Sequence, residues 1–234
     1  MSANFVHLRF HSEYSIQDGI VRLDPILEEV MEQGGVALGI TDSMNLFGAL
    51  RFYSHAIADG IKPIVGCDLW ITNAVHGKRD NPYRLTVYCQ NHEGYLSLCE
   101  LLSRGWMENQ YLGRGEVRLE WLTLENCKGL ICLSGGPQGV IEQRLLEDNK
   151  GEAKAALEQL RAAFPGRFYL EVQRAGRKND EAVVAHIAEL AVETGLPMVA
   201  THPVQFLHRE DFNAHEVRCC IAGGYVLADP HRPK

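Results

Sequence analysis

Polar residues, glycines and one proline lie at or beside the apolar runs of this sequence, most of them just after a run, with Asp68 within one run and Arg84 at the start of another. They are Arg9, His11 and Asp18; Asp42 and Ser43; Asp68; Arg84; Ser134, Gly135 and Gly136; and His202, Pro203 and Gln205. Imidazoles and carboxylates bind divalent cations, and a metal-activated water hydrolyses esters. The set has few such ligands, and its two arginines stay protonated and cannot bind a cation. The pattern therefore indicates the place of a metal site that lacks most of its ligands.

The elements that must position these residues are short apolar strands alternating with helices. Strands are predicted at 5–10, 36–41, 62–72, 83–89, 129–134, 167–172 and 197–204. Most are apolar on both faces, which is typical of a parallel sheet covered by helices. Seven strands favour an α/β fold of the (β/α)7 barrel type, a distorted TIM-like barrel, over an open doubly wound sheet. In such barrels the site lies at the carboxyl ends of the strands.

Composition limits the class of protein. The 234 residues are 46% hydrophobic, and no linker divides them, so 1–234 is predicted to be one domain. The net charge of −7 argues against a stand-alone nucleic-acid binder. The seven cysteines lack CxxC spacing, so they are interpreted as buried apolar residues in a reducing cytoplasm. Neither a signal peptide nor a membrane span is predicted.

Five ordered blocks carry a family resemblance: FVHLRFHSEYSIQDG, GITDSMNLFGALRFY, GIKPIVGCD, ICLSGG and LPMVATHPVQFL. They resemble the PHP (polymerase and histidinol phosphatase) domain, in the form found at the N-terminus of bacterial DNA polymerase III alpha subunits. The blocks run from Phe5 to about Pro230. The resemblance implies the PHP barrel fold. It also implies that the chain is an N-terminal fragment of a much longer DNA-directed DNA polymerase, a nucleotidyltransferase.

PHP domains with an intact site hold up to three metal ions with nine ligands. The resemblance places the corresponding positions of this sequence at Arg9, His11, Asp18, Ser43, Asp68, Arg84, Gly136, Pro203 and Gln205. Only His11, Asp18 and Asp68 keep a residue able to bind a metal ion. No metal or other cofactor is therefore expected, and a phosphate or sulfate ion can occupy the former pocket beside the arginines. A chelator should leave the melting temperature unchanged.

The main functional hypothesis is a domain without catalytic residues of its own. It would support the polymerase and provide a docking platform for the separate proofreading exonuclease (epsilon) subunit, with DNA reached through the rest of the polymerase chain. The alternative is a residual metal-dependent 3'–5' exonuclease or phosphoesterase that uses His11, Asp18, Asp68 and, as a substitute ligand, His202. A nucleic-acid-binding module and a histidinol-phosphate phosphatase fit less well.

Other residues have a structural and a functional interpretation. Asp42 is expected to cap a helix or order a loop. The basic loop with Arg174, Arg177 and Lys178 is a solvated loop or a contact to phosphates. The helix around His55, with Phe52, Tyr53 and Ile57, is expected to pack into the core. For Trp70, Tyr83 and Tyr88, burial and a partner surface remain open.

Overall fold

The computed structural model describes residues 5–75, 78–79 and 81–230, and these residues fall into two units. Unit 1 contains Met1–Cys67 and Pro203–Lys234, and unit 2 contains Asp68–His202. Each unit holds its own share of the predicted site positions. The prediction of one domain within a longer polypeptide stays a prediction.

Helices and strands alternate along most of the described chain. The helices are α1 (Leu23–Glu32), α2 (Ala49–Ala58), α3 (His92–Glu108), α4 (Val140–Leu146), α5 (Lys150–Ala163), α6 (Asp180–Thr194) and α7 (Phe212–Gly223). The strands are β1 (Ala37–Ile40), β2 (Lys62–Ile71), β3 (Ala74–Val75), β4 (Lys78–Arg79), β5 (Tyr83–Cys89), β6 (Gln110–Tyr111), β7 (Arg114–Gly115), β8 (Leu130–Leu133), β9 (Phe168–Gln173) and β10 (Met198–Thr201). None of the described helices is both long and apolar enough to cross a membrane.

Unit 1 is built on β1, which runs parallel to the first half of β2. The predicted strand at 5–10 is not a regular strand here, although its backbone lies beside β1. The Gly39 amide donates to the His7 carbonyl oxygen at 2.8 Å, and the Phe10 amide donates to the Gly39 carbonyl oxygen at 3.2 Å. A side chain at Gly39 would meet the Leu8 carbonyl oxygen, so only glycine allows this approach.

The other side of this segment contacts the last predicted strand run. The His11 amide donates to the Val204 carbonyl oxygen at 2.8 Å, and Phe10 and Val204 form a parallel bridge. Phe10 packs edge-on against Phe52 of α2, and both are fully buried. Burial of two such rings removes a large apolar area from water and anchors the loop that carries His11.

Unit 2 contains the strands in the order β2, β5, β8, β9, β10. β8, β9 and β10 are parallel neighbours, but β5 pairs antiparallel with β8, with Thr86 opposite Leu133. The α/β class is therefore confirmed, whereas the prediction of a parallel sheet is wrong at β5. The predicted count of seven barrel strands is not confirmed, because the described sheet has six strands. Two short hairpins, β3–β4 and β6–β7, were not predicted.

Candidate functional site

In unit 1, the predicted ligand positions meet around the carboxylate of Asp18. Its Oδ1 lies 3.0 Å from His11 Nδ1 and accepts hydrogen bonds from the hydroxyls of Ser15 at 2.9 Å and Ser43 at 3.4 Å. The Ser15 hydroxyl also accepts from the Ser43 amide at 3.0 Å. Two of the three residues expected to survive as ligands, His11 and Asp18, are thus brought together. One oxygen of the carboxylate is already surrounded by protein donors.

Asp42 orders the first loop from 30 residues away. Its Oδ1 accepts from the Ser12 amide and its Oδ2 from the Ser12 hydroxyl, both at 2.7 Å. The loop-ordering interpretation of Asp42 is therefore correct. Burial of this carboxylate raises its pKa to about 6, although the Ser12 hydrogen bonds and the nearby His11 act in the opposite direction. Asp42 as a whole residue is 1% exposed.

The remaining unit 1 positions have no side chain suited to a cation. Arg9 is buried, and its carbonyl oxygen accepts from the Val204 amide at 3.2 Å. Pro203 and Gln205 are half-buried, and the Gln205 carbonyl oxygen accepts from the Ile20 amide at 3.0 Å. These residues hold the loop through their backbone groups. A guanidinium at Arg9 places a permanent positive charge where a ligand was expected.

Sequence reasoning missed His215 of α7. It is buried, and its Nε2 lies 3.1 Å from the Asp18 carbonyl oxygen and 3.5 Å from Cys219 Sγ. Asp18 is 197 positions away along the chain, so no spacing pattern could have indicated this contact. The imidazole links α7 to the Asp18 loop.

In unit 2, Asp68 and Arg84 make contacts within the protein. Asp68 is fully buried and its Oδ1 accepts from the Thr86 hydroxyl at 2.6 Å. The Arg84 guanidinium lies 4.7 Å from the ring centroid of Trp70, a cation–π distance. Arg114 lies 5.5 Å from the same ring. Arg84 is therefore positioned by an aromatic face.

At Gly136, a neighbouring side chain occupies the space of the expected ligand. A Cβ there would lie 3.0 Å from Gln173 Cδ and 3.1 Å from its Nε2, and the φ of +60° disfavours any side chain. Gln173 Nε2 donates to Glu171 Oε1 and Thr201 Oγ1, both at 3.0 Å. The Gly135 amide donates to Glu171 Oε2 at 3.2 Å. The sequence indicated Gly135 and Gly136 as candidate site positions. It gave no indication of the buried Glu171, which accepts hydrogen bonds from the Gly135 amide and from Gln173.

These residues do not fit the metal cluster that an intact site of this kind would hold. Glycine and proline supply no side-chain ligand, and two arginines oppose a cation. Within residues 5–75, 78–79 and 81–230, His, Cys, Asp and Glu form no group of three or more that could hold a metal ion.

The other candidates have mixed outcomes. His202 is exposed. In the basic loop, Arg174 forms an ion pair with Glu181 at 2.9 Å, as expected of a solvated loop. The three aromatic side chains whose burial the sequence left open, Trp70, Tyr83 and Tyr88, are buried. All seven cysteines are free thiols. Four of them are buried, namely Cys67, Cys127, Cys132 and Cys220. The core-packing prediction for α2 is right for Phe52 and wrong for Tyr53 and Ile57, which are exposed.

The α/β fold with polar residues at its strand ends places this chain in a broad class of α/β proteins. Comparison with known proteins identifies the family within that class. The chain belongs to the PHP domain family, whose profile matches residues 7–175. It is 43% identical over its whole length to the DNA polymerase III subunit alpha of Pseudomonas fluorescens. Over 98% of its length it is 44% identical to that of Neisseria meningitidis and 39% identical to that of Escherichia coli. The chain spans 20% of the length of each of these relatives.

Solved structures support the fold. A proposed metal-dependent phosphoesterase from Bifidobacterium adolescentis superposes with a TM-score of 0.58 at 11% identity, over 91% of this chain and 96% of that one. An amidohydrolase from Chromobacterium violaceum, with bound sulfate and no metal, gives a TM-score of 0.52 at 15% identity, with the same coverage of both chains. At such identities the likeness shows the fold alone.

Proposed function

We propose that this chain is the N-terminal PHP domain of a replicative DNA-directed DNA polymerase and acts in bacterial DNA replication, in the cytoplasm. The alpha subunits that it resembles at 37–44% identity support this proposal, because 98–100% of the chain aligns with them. The polymerase activity itself would belong to the rest of the polypeptide. DNA would then be a partner through that part of the protein.

The domain itself is proposed to be catalytically inactive. The observation that carries this proposal is the occupation of the Gly136 position by Gln173, whose amide is already committed to Glu171 and Thr201. A metal-activated water needs several ligands with free lone pairs. The equivalence of the nine positions with family ligands stays a prediction from the resemblance.

The role left to such a domain is structural support and partner binding. The resemblance implies that PHP domains with lost metal ligands accompany a separate proofreading subunit. We therefore propose that this domain is the docking platform for the proofreading exonuclease (epsilon) subunit. Large exposed apolar side chains on α2, namely Leu50, Tyr53 and Ile57, show that the described surface offers hydrophobic area to a partner.

A phosphate or sulfate ion is a further proposed ligand of the former metal pocket. Arg9 in unit 1 and Arg84 in unit 2 each support anion binding within their own unit, because a guanidinium keeps its charge and binds oxyanions through paired hydrogen bonds. Arg84 keeps its charge while it stacks on Trp70. Titration calorimetry with inorganic phosphate tests this proposal, and Arg84→Gln should weaken any binding that is found.

The decisive experiment is metal analysis after dialysis against zinc, manganese and magnesium. We expect less than about a tenth of an ion per chain, since the site lacks ligands. An assay for 3'–5' nuclease and phosphoesterase activity on the same sample should show none above a buffer blank. Surface plasmon resonance against the purified exonuclease subunit should show binding, and its absence would remove the docking role.

One observation favours the alternative, a residual metal-dependent 3'–5' exonuclease or phosphoesterase. His11 and Asp18 remain 3.0 Å apart, and Asp68 is a buried carboxylate. If an ion is bound tightly and nuclease activity is measured, Asp18→Asn should abolish both. Loss of the activity with retained folding would establish the alternative and refute the inactive domain.

A further inference from the structure

Arginines and aromatic rings alternate in a continuous row in unit 2. The Arg84 guanidinium lies 4.7 Å from the ring centroid of Trp70, and Arg114 lies 5.5 Å from the same ring. Arg114 also lies 5.8 Å from the ring centroid of Tyr111, and Arg79 lies 5.1 Å from that ring. A guanidinium held on an aromatic face stays charged and loses little further freedom when it binds an oxyanion. The row therefore ends, at Arg79, in a cation that is already oriented.

A second, shorter row meets the first one at a cavity. Arg104 and Arg118 lie 4.1 Å and 5.5 Å from the ring centroid of Trp121. Arg118 and Arg79, one arginine from each row, both line a cavity of about 370 Å³. The lining of this Arg118 cavity consists of Thr72, Ala74, Arg79, Arg118, Leu119 and Glu120. Within the part of the chain that the structure describes, this lining includes none of the positions predicted to correspond to family metal ligands, so the Arg118 cavity is not the former metal pocket.

The Arg118 cavity carries positive charge in a chain whose net charge is −7. Glu116 is buried and is shared by two arginines, Arg79 at 3.6 Å and Arg114 at 2.9 Å, so these three groups together keep one positive charge. Arg118 is exposed, and among the described residues no carboxylate or other acceptor contacts its guanidinium. Its donors are therefore open to a ligand. The carboxylate of Glu120 also lines the cavity, but it is exposed, so solvent and salt screen its charge.

An adjoining cavity of about 260 Å³ shares three lining residues with the Arg118 cavity. Most of its lining is apolar, with side chains from Ile71, Ala74, Tyr83, Leu119, Val140, Ala155 and Ala156. The charge of its arginine, Arg144, is balanced by Glu152 at 3.0 Å. The two cavities thus form one cleft with a cationic end and a mostly apolar end. Sites for small ligands are commonly of this kind, with volumes of about 300–1,000 Å³ and a few polar groups beside apolar walls.

We propose that this cleft binds an organic phosphate monoester, with the phosphate held by Arg118 and the organic part in the adjoining cavity. A phosphate monoester carries close to two negative charges at neutral pH, and it meets the charge of Arg118 together with the one kept by Arg79, Arg114 and Glu116. The planar guanidinium binds two phosphate oxygens through paired hydrogen bonds. A carboxylate ligand carries only one charge and leaves the second cation unbalanced. A free nucleotide and the phosphorylated 5' end of a DNA strand share this chemistry.

Titration calorimetry of the 234-residue chain tests the proposal. Deoxyadenosine monophosphate should bind, and deoxyadenosine should give no detectable heat. Inorganic phosphate should bind at least about tenfold more weakly than the nucleotide, because it leaves the adjoining cavity empty. If neither the nucleotide nor a 5'-phosphorylated hexathymidylate binds at millimolar concentration, the proposal is wrong. Equal affinity for deoxyadenosine and its monophosphate would also overturn it, because the arginines would then contribute nothing.

A matched pair of substitutions separates the cleft from the general charge of this region. Arg118→Gln and Arg104→Gln each remove a guanidinium from the ring of Trp121, but only Arg118 lines the cavity. Arg118→Gln should weaken binding of deoxyadenosine monophosphate at least about tenfold, because charge-assisted hydrogen bonds are lost, and Arg104→Gln should leave the affinity unchanged. A thermal scan checks that both variants are folded. Equal losses in the two variants, or no loss in Arg118→Gln, would refute the assignment.

The apolar end of the cleft is tested by Ala155→Leu. Ala155 is an exposed position of α5 that lines the adjoining cavity, so a larger side chain there fills the cavity without disturbing the core. This variant should bind deoxyadenosine monophosphate at least about tenfold more weakly and inorganic phosphate as before. Unchanged nucleotide affinity, or an equal loss for both probes, would refute the placement of the organic part.

Two hexathymidylates that differ only in a 5' phosphate distinguish the sources of the ligand. Tighter binding of the phosphorylated strand supports a strand end, and binding of the nucleotide without binding of either strand supports a free nucleotide. Equal binding of both strands, lost in Arg118→Gln, would overturn the proposal, since the cleft would then bind backbone diesters. Arg84→Gln, which tests the former metal pocket, should leave nucleotide affinity unchanged, and a loss equal to that of Arg118→Gln would move the ligand out of the Arg118 cavity and refute the assignment.

Discussion

The Asp42 carboxylate should make this protein less stable as pH rises from about 4 to about 6. The pKa of Asp42 is raised from its ordinary value of 3.8 to about 6 by burial. Between these values the folded state holds a proton that the unfolded state has lost. Stability therefore falls with rising pH in this window, and the contribution is constant above it. Replacement of Asp42 by asparagine removes the titration while keeping the size of the side chain.

The magnitude follows from the size of the pKa change. One pH unit corresponds to about 1.4 kcal/mol, so the full change of about two units is worth about 3 kcal/mol. At pH 5 about nine-tenths of the folded molecules carry the proton, so between about 1 and 2 kcal/mol of stability is lost between pH 5 and pH 7.5. An asparagine can still accept from the Ser12 amide and donate to its hydroxyl, so its stability should lack this change.

Urea unfolding at the two pH values measures the effect. The stability of Asp42→Asn relative to the natural chain should move in favour of asparagine by between about 1 and 2 kcal/mol from pH 5 to pH 7.5. Asp59→Asn, at an exposed position that ends α2, controls for the general loss of one negative charge and should show little change. If the stability difference between Asp42→Asn and the natural chain is the same at pH 5 and pH 7.5, the buried carboxylate does not titrate as this structure requires.

Three further outcomes are expected. Gly136→His should lower the free energy of unfolding by about 1–3 kcal/mol, because the positive φ strains any side chain and the imidazole overpacks against Gln173. The substitution should not create a zinc site. Calorimetry that finds tight zinc binding in a stable Gly136→His protein would contradict this. EDTA should leave the melting temperature unchanged in a thermal scan, and a fall of several degrees would mean that a bound metal supports the fold. Burial raises the pKa of the Cys127 thiol to about 12 and raises that of Cys132, so a thiol reagent at pH 8 should modify both only after unfolding; fast labelling of either in the folded protein would show that its burial is wrong.

The sequence was sufficient for the fold class and for most helices and strands, because apolar runs and helix periodicity report burial. It could not give the direction of β5. Apolar content shows that a strand is covered on both faces, but not whether its neighbour runs parallel or antiparallel. The two-residue strands of the hairpins are too short to show any period. Tyr53 and Ile57 were misassigned because an apolar side chain on a helix can face a partner as well as the core.

For the candidate site, the sequence indicated the positions but not the contacts that hold them. The family resemblance indicated the candidate ligand positions, and the structure brings His11, Asp18 and Ser43 together. The contacts that hold them depend on pairs far apart in sequence, such as Ser12 with Asp42. No spacing rule relates such positions, since hydroxyls and amides are common and their partners depend on the tertiary fold.

The contacts at the positions predicted to correspond to family ligands determine what metal binding there would require. Asp18 accepts from two serine hydroxyls, Arg84 stacks on Trp70, and Gln173 takes the space beside Gly136. A metal ion at Asp18 in unit 1 would have to displace its donors, and an ion at the Arg84 position in unit 2 would have to move that side chain off an aromatic face. Because buried polar groups are costly to leave without partners, each restored ligand alone would break an existing contact before any ion bound. Single substitutions toward histidine should therefore cost stability without gaining a metal, and only several made together could reverse the balance.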